Sequence, residues 1–195
     1  MIWAVVLAAG ESRRMGTQKL LLPYGGTTVV EAVVRSALDS RVDETMVVLG
    51  ADREAVRNAL KSYPVTFAVN EGYRRGMLSS IQTGLASMPG GVQAAVLLLG
   101  DQPAVASATI DELVQAYRER RRGIYLPVYG ERRGHPILVD AGYRPEILGL
   151  DPEVGLRQLA KDHPEDVVTV EISEGEAPED LDVPSDYARA VSKRR

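Results

Sequence analysis

The chain contains no cysteine, only two histidines, and a single phenylalanine and tryptophan among 195 residues. Without cysteine there is no disulfide, no thiolate nucleophile and no thiolate metal site, so a metal must be held by carboxylate or histidine. A basic excess is also missing: 23 Lys and Arg stand against 27 Asp and Glu, a formal net charge of −4. A general DNA- or RNA-binding surface needs a basic face, and this balance argues against one. It does not argue against a single bound nucleotide, because a small pocket can be locally positive on an acidic protein. Long apolar runs are absent too. Residues 2–9 are apolar, but the run is too short to span a bilayer and no basic segment precedes it. The expectation is a cytoplasmic protein with no nucleic-acid or membrane partner. Its length suits one domain over residues 1–195 with a substantial core.

What is present is an alternation of strand and helix patterns. Ile2-Trp3-Ala4-Val5-Val6-Leu7 shows no polar alternation, which suits a strand covered on both faces. A glycine-rich segment follows over residues 10–26. Thr28 with Glu31 reads as a capping box, and Val29, Val30, Val33, Val34, Ala37 and Leu38 then recur at helical spacing. A second apolar run, Met46-Val47-Val48-Leu49, ends at Gly50. Helices are expected at 52–61, 77–88 and 109–121, the last starting near Ser107, and strands at 65–69 and 94–99. Four strand–helix alternations predict an α/β fold, a three-layer α/β/α open and mostly parallel (Rossmann-like) sheet. Such sheets bind ligands outside the carboxyl ends of their strands.

Beyond residue 120 the pattern is less regular. Residues 124–129 and 136–139 flank Gly130-Glu131 and suit a paired ribbon. Short helices are expected at 144–148 and 154–161, a strand at 167–172, an acidic loop at 173–184 and a closing helix at 187–191. Arg118, Arg120, Arg121 and Arg122 read as a solvated helix terminus, and residues 193–195 as a frayed tail.

The strongest chemical signal is Leu7-Ala8-Ala9-Gly10-Glu11-Ser12-Arg13-Arg14-Met15-Gly16-Thr17-Gln18-Lys19-Leu20, directly after the first strand. Gly10 and Gly16 let the backbone approach a phosphate closely and turn its amides inward. Arg14 and Lys19 add fixed positive charge suited to a triphosphate. No Gly-Lys-Ser/Thr closes the loop, so it is not a P-loop. It is not Gly-x-Gly-x-x-Gly either, which leaves nicotinamide or flavin binding with little support. A surface loop with three basic residues is the plain alternative.

This segment resembles the signature of the nucleotidyltransferases that attach CMP or GMP to molybdopterin, the MobA/MocA-like enzymes. These in turn resemble sugar-nucleotide pyrophosphorylases, which implies a nucleotide-diphospho-sugar transferase type of fold. The resemblance runs through ordered landmarks along nearly the whole chain. It implies a phosphate-binding loop, with Leu7, Ala8, Ala9, Gly10 and Gly16 against the substrate and Arg14 and Lys19 as cationic contacts to the donor.

Leu97-Leu98-Leu99-Gly100-Asp101-Gln102-Pro103 places a carboxylate at the end of a buried strand, where Asp101 can ligate Mg²⁺. The resemblance makes Asp101 the metal ligand, sets Gly100 and Gln102 against the substrate, and makes Gln102-Pro103 look more cytidylyl than guanylyl. Asn70-Glu71-Gly72-Tyr73-Arg74-Arg75-Gly76-Met77-Leu78-Ser79-Ser80 leads into a helix whose free amides can hold an anion. Ser79 or Ser80 as a simple N-cap is an equal reading. The resemblance implies Asn70 and Ser80 as contacts to the base and ribose. Carboxylates in an acidic loop such as Asp180-Leu181-Asp182-Val183-Pro184 are usually just solvated. The segment is nonetheless similar to the family's Asp-x-Asp-Thr-Pro landmark, in which Asp182 aligns with the second metal ligand. Val183 departs from the usual threonine and removes a hydroxyl. Gly134-His135-Pro136 matches a landmark on the acceptor side, so His135 is a candidate contact to the acceptor; a structural role is as good a reading. His163, beside Pro164, reads as structural.

The implied reaction is transfer of CMP from CTP to molybdopterin with release of pyrophosphate. Its substrates are small molecules, its cofactor is Mg²⁺, and the resemblance extends to transient contact with a molybdoenzyme or its chaperone. No Ser-His-Asp or Cys-His arrangement is needed, because a phosphate monoester has a second pKa of about 6 and is largely ionised near neutrality. GTP as donor, or a sugar phosphate as acceptor, is an alternative within the class. A nucleotide-binding regulatory module without catalysis is an alternative from another class. A redox enzyme stands behind both, since cysteine and a dinucleotide fingerprint are lacking.

Overall fold

The computed structural model describes residues 1–172 and 178–193. Along the chain run β1 (Ile2–Ala8), β2 (Pro23–Tyr24), β3 (Thr27–Thr28), α1 (Val29–Leu38), β4 (Glu44–Leu49), α2 (Arg53–Ala59), β5 (Thr66–Val69), α3 (Met77–Ser87), β6 (Ala94–Leu99) and α4 (Ser107–Arg120). The second part holds β7 (Ile124–Tyr129), β8 (Arg132–Arg133), β9 (Ile137–Asp140), α5 (Arg144–Gly149), α6 (Arg157–Asp162), β10 (Val167–Glu171) and α7 (Pro184–Ser192). No described helix is long and apolar enough to cross a membrane.

One mixed, mostly parallel sheet runs in the order β10-β7-β9-β6-β1-β4-β5, with β8 paired to β7. The strands β5, β4, β1 and β6 are mutually parallel, as the strand–helix alternation requires. After β4 and β5 are laid on one side of β1, the chain crosses to the other side to add β6. The crevice between the carboxyl ends of β1 and β6 is therefore a topological switch point, where such sheets bind ligands.

The period of two along β1 divides the core. Ala4, Val6 and Ala8 pack with Val30, Val33 and Val34 of α1, Val56 of α2 and Ile110, Leu113 and Val114 of α4. Trp3 and Val5 face the opposite way, onto Leu78, Ile81 and Leu85 of α3, Ile147 of α5 and Leu159 of α6. Val5 and Val6 are both fully buried, a contribution of about 1.5–3 kcal/mol each relative to exposure. Helix α3 lies close on the sheet because of Gly84. A Cβ there would come within 2.6 Å of Val5 Cγ1 and 3.0 Å of Val48 Cγ2.

The ribbon expected after residue 120 is present and does more than expected. β7 pairs with β8 across Gly130-Glu131, and also with β9. β9 inserts antiparallel between β7 and β6, which brings the segment preceding it, Gly134-His135-Pro136, to the carboxyl end of β1 and β6. Several boundaries differ. The small β2–β3 hairpin was not legible within the glycine-rich segment. α6 begins at Arg157 rather than 154, after Gly155 at φ +81°. The acidic loop ends at Pro184, which starts α7; its residues 173–177 lie outside the described residues, as do 194–195 of the expected tail. The arginines Arg118, Arg120, Arg121 and Arg122 are all exposed, as expected. Arg121 closes α4 in the left-handed region, and Arg122 reaches Asp166 Oδ2 at 3.0 Å. Ser79 and Ser80 are not N-caps, because α3 begins at Met77 after Gly76.

The capping box at α1 is formed. Thr28 N donates to Glu31 Oε2 at 2.7 Å, Glu31 N donates to Thr28 Oγ1 at 3.4 Å, and Tyr63 Oη donates to Glu31 Oε1 at 3.2 Å. Burial works to raise the Glu31 pKa, but these bonds outweigh it and hold the carboxyl below its ordinary value of 4.5. The stabilisation is present above that value and is lost as pH falls through the lowered one. Thr28→Ala should therefore cost about 1 kcal/mol near neutral pH and less in acid, measured by urea unfolding at both pH values with an unchanged denaturant slope.

Candidate functional site

After β1 the chain enters the loop of residues 9–18, and its shape is fixed by one side chain. Gln18 Oε1 accepts from Ser12 Oγ at 2.8 Å, and Gln18 Nε2 donates to Asp52 Oδ2 at 3.0 Å and to Gly10 O at 3.3 Å. Ser12 Oγ also accepts from Lys19 N at 3.1 Å. The loop is thus tied to its own far end and to the residue preceding α2. Ser12 itself stands at φ 51° and Gly16 at φ 67°, left-handed geometry that costs glycine nothing and a serine more.

Asp101 reaches the same place through Gly100. The Gly100 amide donates to Leu7 O at 3.0 Å, and a Cβ on Gly100 would sit 2.8 Å from that oxygen. Glycine lets the end of β6 lie against the end of β1. The third segment arrives from the far end of the sequence. Leu181 is buried among Tyr24, Val29 and Ala32, and its amide donates to Asp101 O at 3.3 Å. With Leu181 anchored inward, the carboxylates on either side turn back to the crevice. Asp180 Oδ1 accepts from Gln102 Nε2 at 2.8 Å. Asp182 Oδ1 lies 3.2 Å from Lys19 Nζ and its Oδ2 2.9 Å from Arg14. Lys19 Nζ also donates to Asp101 Oδ2 at 2.5 Å. Val183 lacks the hydroxyl of the usual threonine, and Asp186 compensates: its Oδ2 accepts from the amides of Asp182 and Val183 at 3.2 and 3.1 Å.

The result is a cleft of about 430 Å³ whose lining includes Leu7, Ala9, Gly10, Arg14, Lys19, Ser80, Asp101 and Asp182. The side chains of Lys19 and Asp101 are only 13% and 18% exposed. Burial opposes the charge on Lys19, but Asp101 and Asp182 outweigh it and raise its pKa above 10.5. For Asp101 burial is the larger influence and raises its pKa above 3.8, with Lys19 pulling back only in part. A single ammonium does not fully compensate this carboxylate, so a further cation beside it is favoured.

Five expected residues are placed differently. Ala8 points into the α1 layer. Gly16 is exposed at the outer bend of the loop, and Gly100 serves the close approach of two strands. Gln102 is buried and holds Asp180. Asn70 is buried, and its Nδ2 donates to Ser79 Oγ at 2.9 Å and Ser80 Oγ at 3.0 Å, so it backs the cleft rather than lining it. His135 lies in an adjoining cavity that shares Leu7 and Met77 with the cleft. Burial lowers its pKa below 6.5 against the pull of Asp180 and Asp101, which favours neutral imidazole at pH 7. Sequence reasoning missed Glu11, whose carboxylate joins Arg13 at 2.6 Å to Arg74 at 3.1 Å and so bridges two loops of the cleft. It also missed the brace at Gln18. Their only signal was their position inside the one motif that follows β1.

A second group of possible metal donors, His163, Glu165 and Asp166, lies at the opposite end of the sheet. Asp166 is engaged by Tyr143 and Arg122, and His163 Nε2 lies 2.9 Å from Glu146 Oε2. These bonds fasten α5, α6 and the end of α4 together, in keeping with a structural His163.

A three-layer sheet with a cationic loop and paired carboxylates at its switch point defines a nucleotide-handling α/β protein. More narrowly, residues 4–167 match the MobA-like NTP transferase domain, and the chain belongs to that family of nucleotidyltransferases. Nicotine blue oxidoreductase of Paenarthrobacter nicotinovorans is 33% identical over 93% of this chain and 92% of its own length. Molybdenum cofactor cytidylyltransferase of Escherichia coli (strain K12) is 28% identical over 97% and 95%. Among solved structures, Rv0371c of Mycobacterium tuberculosis H37Rv superposes with a TM-score of 0.88 at 33% identity, covering 98% of this chain and 97% of that one. A complex of the same protein with manganese superposes at 0.83, with 30% identity and 98% of both chains covered.

If Gln18 fixes the loop, Gln18→Ala should speed amide hydrogen exchange across residues 10–17. The strands of the sheet should keep their protection, as read by mass spectrometry.

Proposed function

We propose that this protein transfers CMP from CTP to a molybdopterin-type phosphate acceptor and releases pyrophosphate. The single observation that carries the reading is the meeting of Arg14, Lys19, Asp101 and Asp182 in one cleft at the switch point. The relative named molybdenum cofactor cytidylyltransferase supports the choice of donor and acceptor. In such a transfer an acceptor phosphate oxygen forms a bond to the donor's α-phosphorus. The bond from that phosphorus to the bridging oxygen breaks, and pyrophosphate departs with the electron pair. The acceptor is already ionised, so no protein base is required. The chain supplies alignment of two anions and neutralisation of the leaving group, the larger share of catalysis in reactions of this kind.

Asp101 and Asp182 suit a divalent ion. Both carboxylates already converge on one cationic nitrogen, and Asp101 is under-compensated by it. Hard oxygen ligands of this kind suit Mg²⁺, which would supply charge neutralisation at the triphosphate. Arg14 and Lys19 add cationic contacts to the phosphates. Ser80, on the first turn of α3, faces the nucleoside end, with Asn70 holding its hydroxyl in place.

A second reading is favoured by one finding: the relative named nicotine blue oxidoreductase shares 33% identity over nearly the whole chain. In that reading the same cleft would bind a reduced nicotinamide dinucleotide through its phosphates and the adjoining cavity would take an aromatic that is reduced by accepting its hydride.

The two are separated by one experiment. The protein is incubated with molybdopterin, Mg²⁺ and each nucleoside triphosphate in turn, pyrophosphate is measured, and products are identified by mass. Parallel reactions follow nicotinamide absorbance. CTP should release pyrophosphate in an acceptor-dependent way, and Asp101→Ala should lower turnover by about a hundredfold or more with the fold intact by circular dichroism. Near-normal turnover of Asp101→Ala under Mg²⁺ would refute the metal assignment. Oxidation of reduced nicotinamide by an added reducible aromatic, without pyrophosphate, would favour the second reading.

A further inference from the structure

Asp182 reaches the cleft from a turn just ahead of α7, and three successive amides of that turn are tied down. The Leu181 amide donates to the backbone oxygen of Asp101 at 3.3 Å, so a main-chain bond spaces the segments that carry the two carboxylates. The amides of Asp182 and Val183 both donate to one atom, Asp186 Oδ2, at 3.2 and 3.1 Å. The other oxygen of Asp186 lies 3.0 Å from Arg189, whose Nε lies 3.0 Å from Glu179 Oε2. Side chains thus close a ring that joins the stretch before Asp182 to the helix after it.

A helix start is usually satisfied differently. An N-cap side chain accepts from amides inside the first turn, but Val183 at that position has no oxygen to offer. Asp186, the third residue of α7, turns its carboxylate backward, out of the helix. It holds the N-cap amide, as the acid of a capping box does, and reaches one residue further to the amide of Asp182. The half of the box that steadies the helix is missing, while the half that steadies the preceding turn is present and extended. Asp186 itself does not line the cleft.

We infer that Asp186 is a positioning residue: it sets the carboxylate of Asp182 for a divalent ion shared with Asp101, and it does so separately from any stabilisation of α7. The inference rests on the reading of Asp101 and Asp182 as metal ligands. A metal ligand is oriented by the groups that hold it, and loss of such a support weakens metal binding by about tenfold to a hundredfold. Removing Asp186 releases two adjacent amides at once. Leu181 stays anchored by its buried side chain, so the change falls on the direction of Asp182 and not on the packing of the segment.

The test separates positioning from helix stability. Asp186→Ala removes both. In Val183→Thr/Asp186→Ala the new hydroxyl stands at the N-cap of α7, at a position 36% exposed, and accepts from inside the helix. It restores stability but leaves the amides of residues 182 and 183 free. Mn²⁺ binding to the full chain, without nucleotide, is followed by loss of the free-ion electron paramagnetic resonance signal, with Asp182→Asn as the reference for a lost ligand. Hydrogen exchange over residues 180–184 is read by mass spectrometry, and stability by urea unfolding. The double variant should unfold at the wild-type midpoint, bind Mn²⁺ about tenfold more weakly and exchange faster over 180–184, while Val183→Thr alone binds Mn²⁺ as the wild type does. The proposal is overturned if restoring stability also restores Mn²⁺ binding, or if exchange over 180–184 is unchanged. A wrong metal assignment reads differently: the wild type binds no Mn²⁺, or Asp182→Asn binds it equally well, and the exchange data then decide whether Asp186 holds the turn.

Discussion

One ammonium group holds the site together. Lys19 Nζ meets Asp101, 82 residues away, and Asp182, 163 residues away, so three distant stretches of chain are closed on a single charge. Arg14 extends the array through the other oxygen of Asp182. Lys19 and Asp101 would each be costly alone at their low exposure, and the arrangement persists because the charges alternate in sign. The backbone makes the meeting possible. Gly100 lets β6 end against β1, Gln18 fixes the loop from which Lys19 departs, and buried Leu181 turns Asp182 back toward the sheet.

The parts of this design that follow from local pattern were open to sequence reading. The apolar runs of β1, β4 and β6, the helical spacing after Thr28 and the four strand–helix alternations dictate a parallel sheet, and with it the end at which a ligand lies. Arg14, Lys19 and Asp101 could be singled out because each falls next to a strand end in a motif of unusual composition. The features that escaped are those set by contacts across the chain. Gly100 and Gly16 look alike as loop glycines, yet one faces the Leu7 carbonyl and the other faces solvent. Gln102 and Asn70 were expected as binding groups through the family resemblance, but both are buried and spend their amides on neighbouring side chains. Glu11 and Gln18 carried no signal of their own, since a brace is defined by its partners. The N-cap reading of Ser79 and Ser80 failed for a related reason: Gly76 at φ +103° starts the helix earlier, and Asn70 claims both hydroxyls.

The insertion of β9 between β6 and β7 has a consequence for the whole face of the molecule. An antiparallel strand beside β6 brings its leading residues, Gly134-His135-Pro136, to the end of the sheet where Asp101 lies. His135 thereby feels Asp101 and Asp180 while lying in a different, more apolar chamber. α3 begins on the boundary, with Met77 touching both spaces and Ser80 only the cleft. Two ligands bound one on each side of Met77 would meet at the carboxyl end of β1, where the charges are concentrated.

This division bears on how relatives with a cytidylyltransferase name and an oxidoreductase name resemble the same chain over more than nine-tenths of its length. The loop after β1 and the ends of β6 and the acidic segment are coupled to one another through buried contacts, so a change in any one disturbs the others. The chamber under α6 is lined by aliphatic side chains with three exposed cations at its margin, none of which braces another element among the described residues. Substitutions of these three cations, Arg133, Arg157 and Lys161, alter charge without unfastening the sheet, although the aliphatic walls Leu78, Ile81 and Leu97 belong to the core. A scaffold built this way keeps its phosphate-handling half fixed while its second chamber is free to diverge. The family fold therefore constrains the donor side of the chemistry more tightly than the identity of the partner that reacts with it.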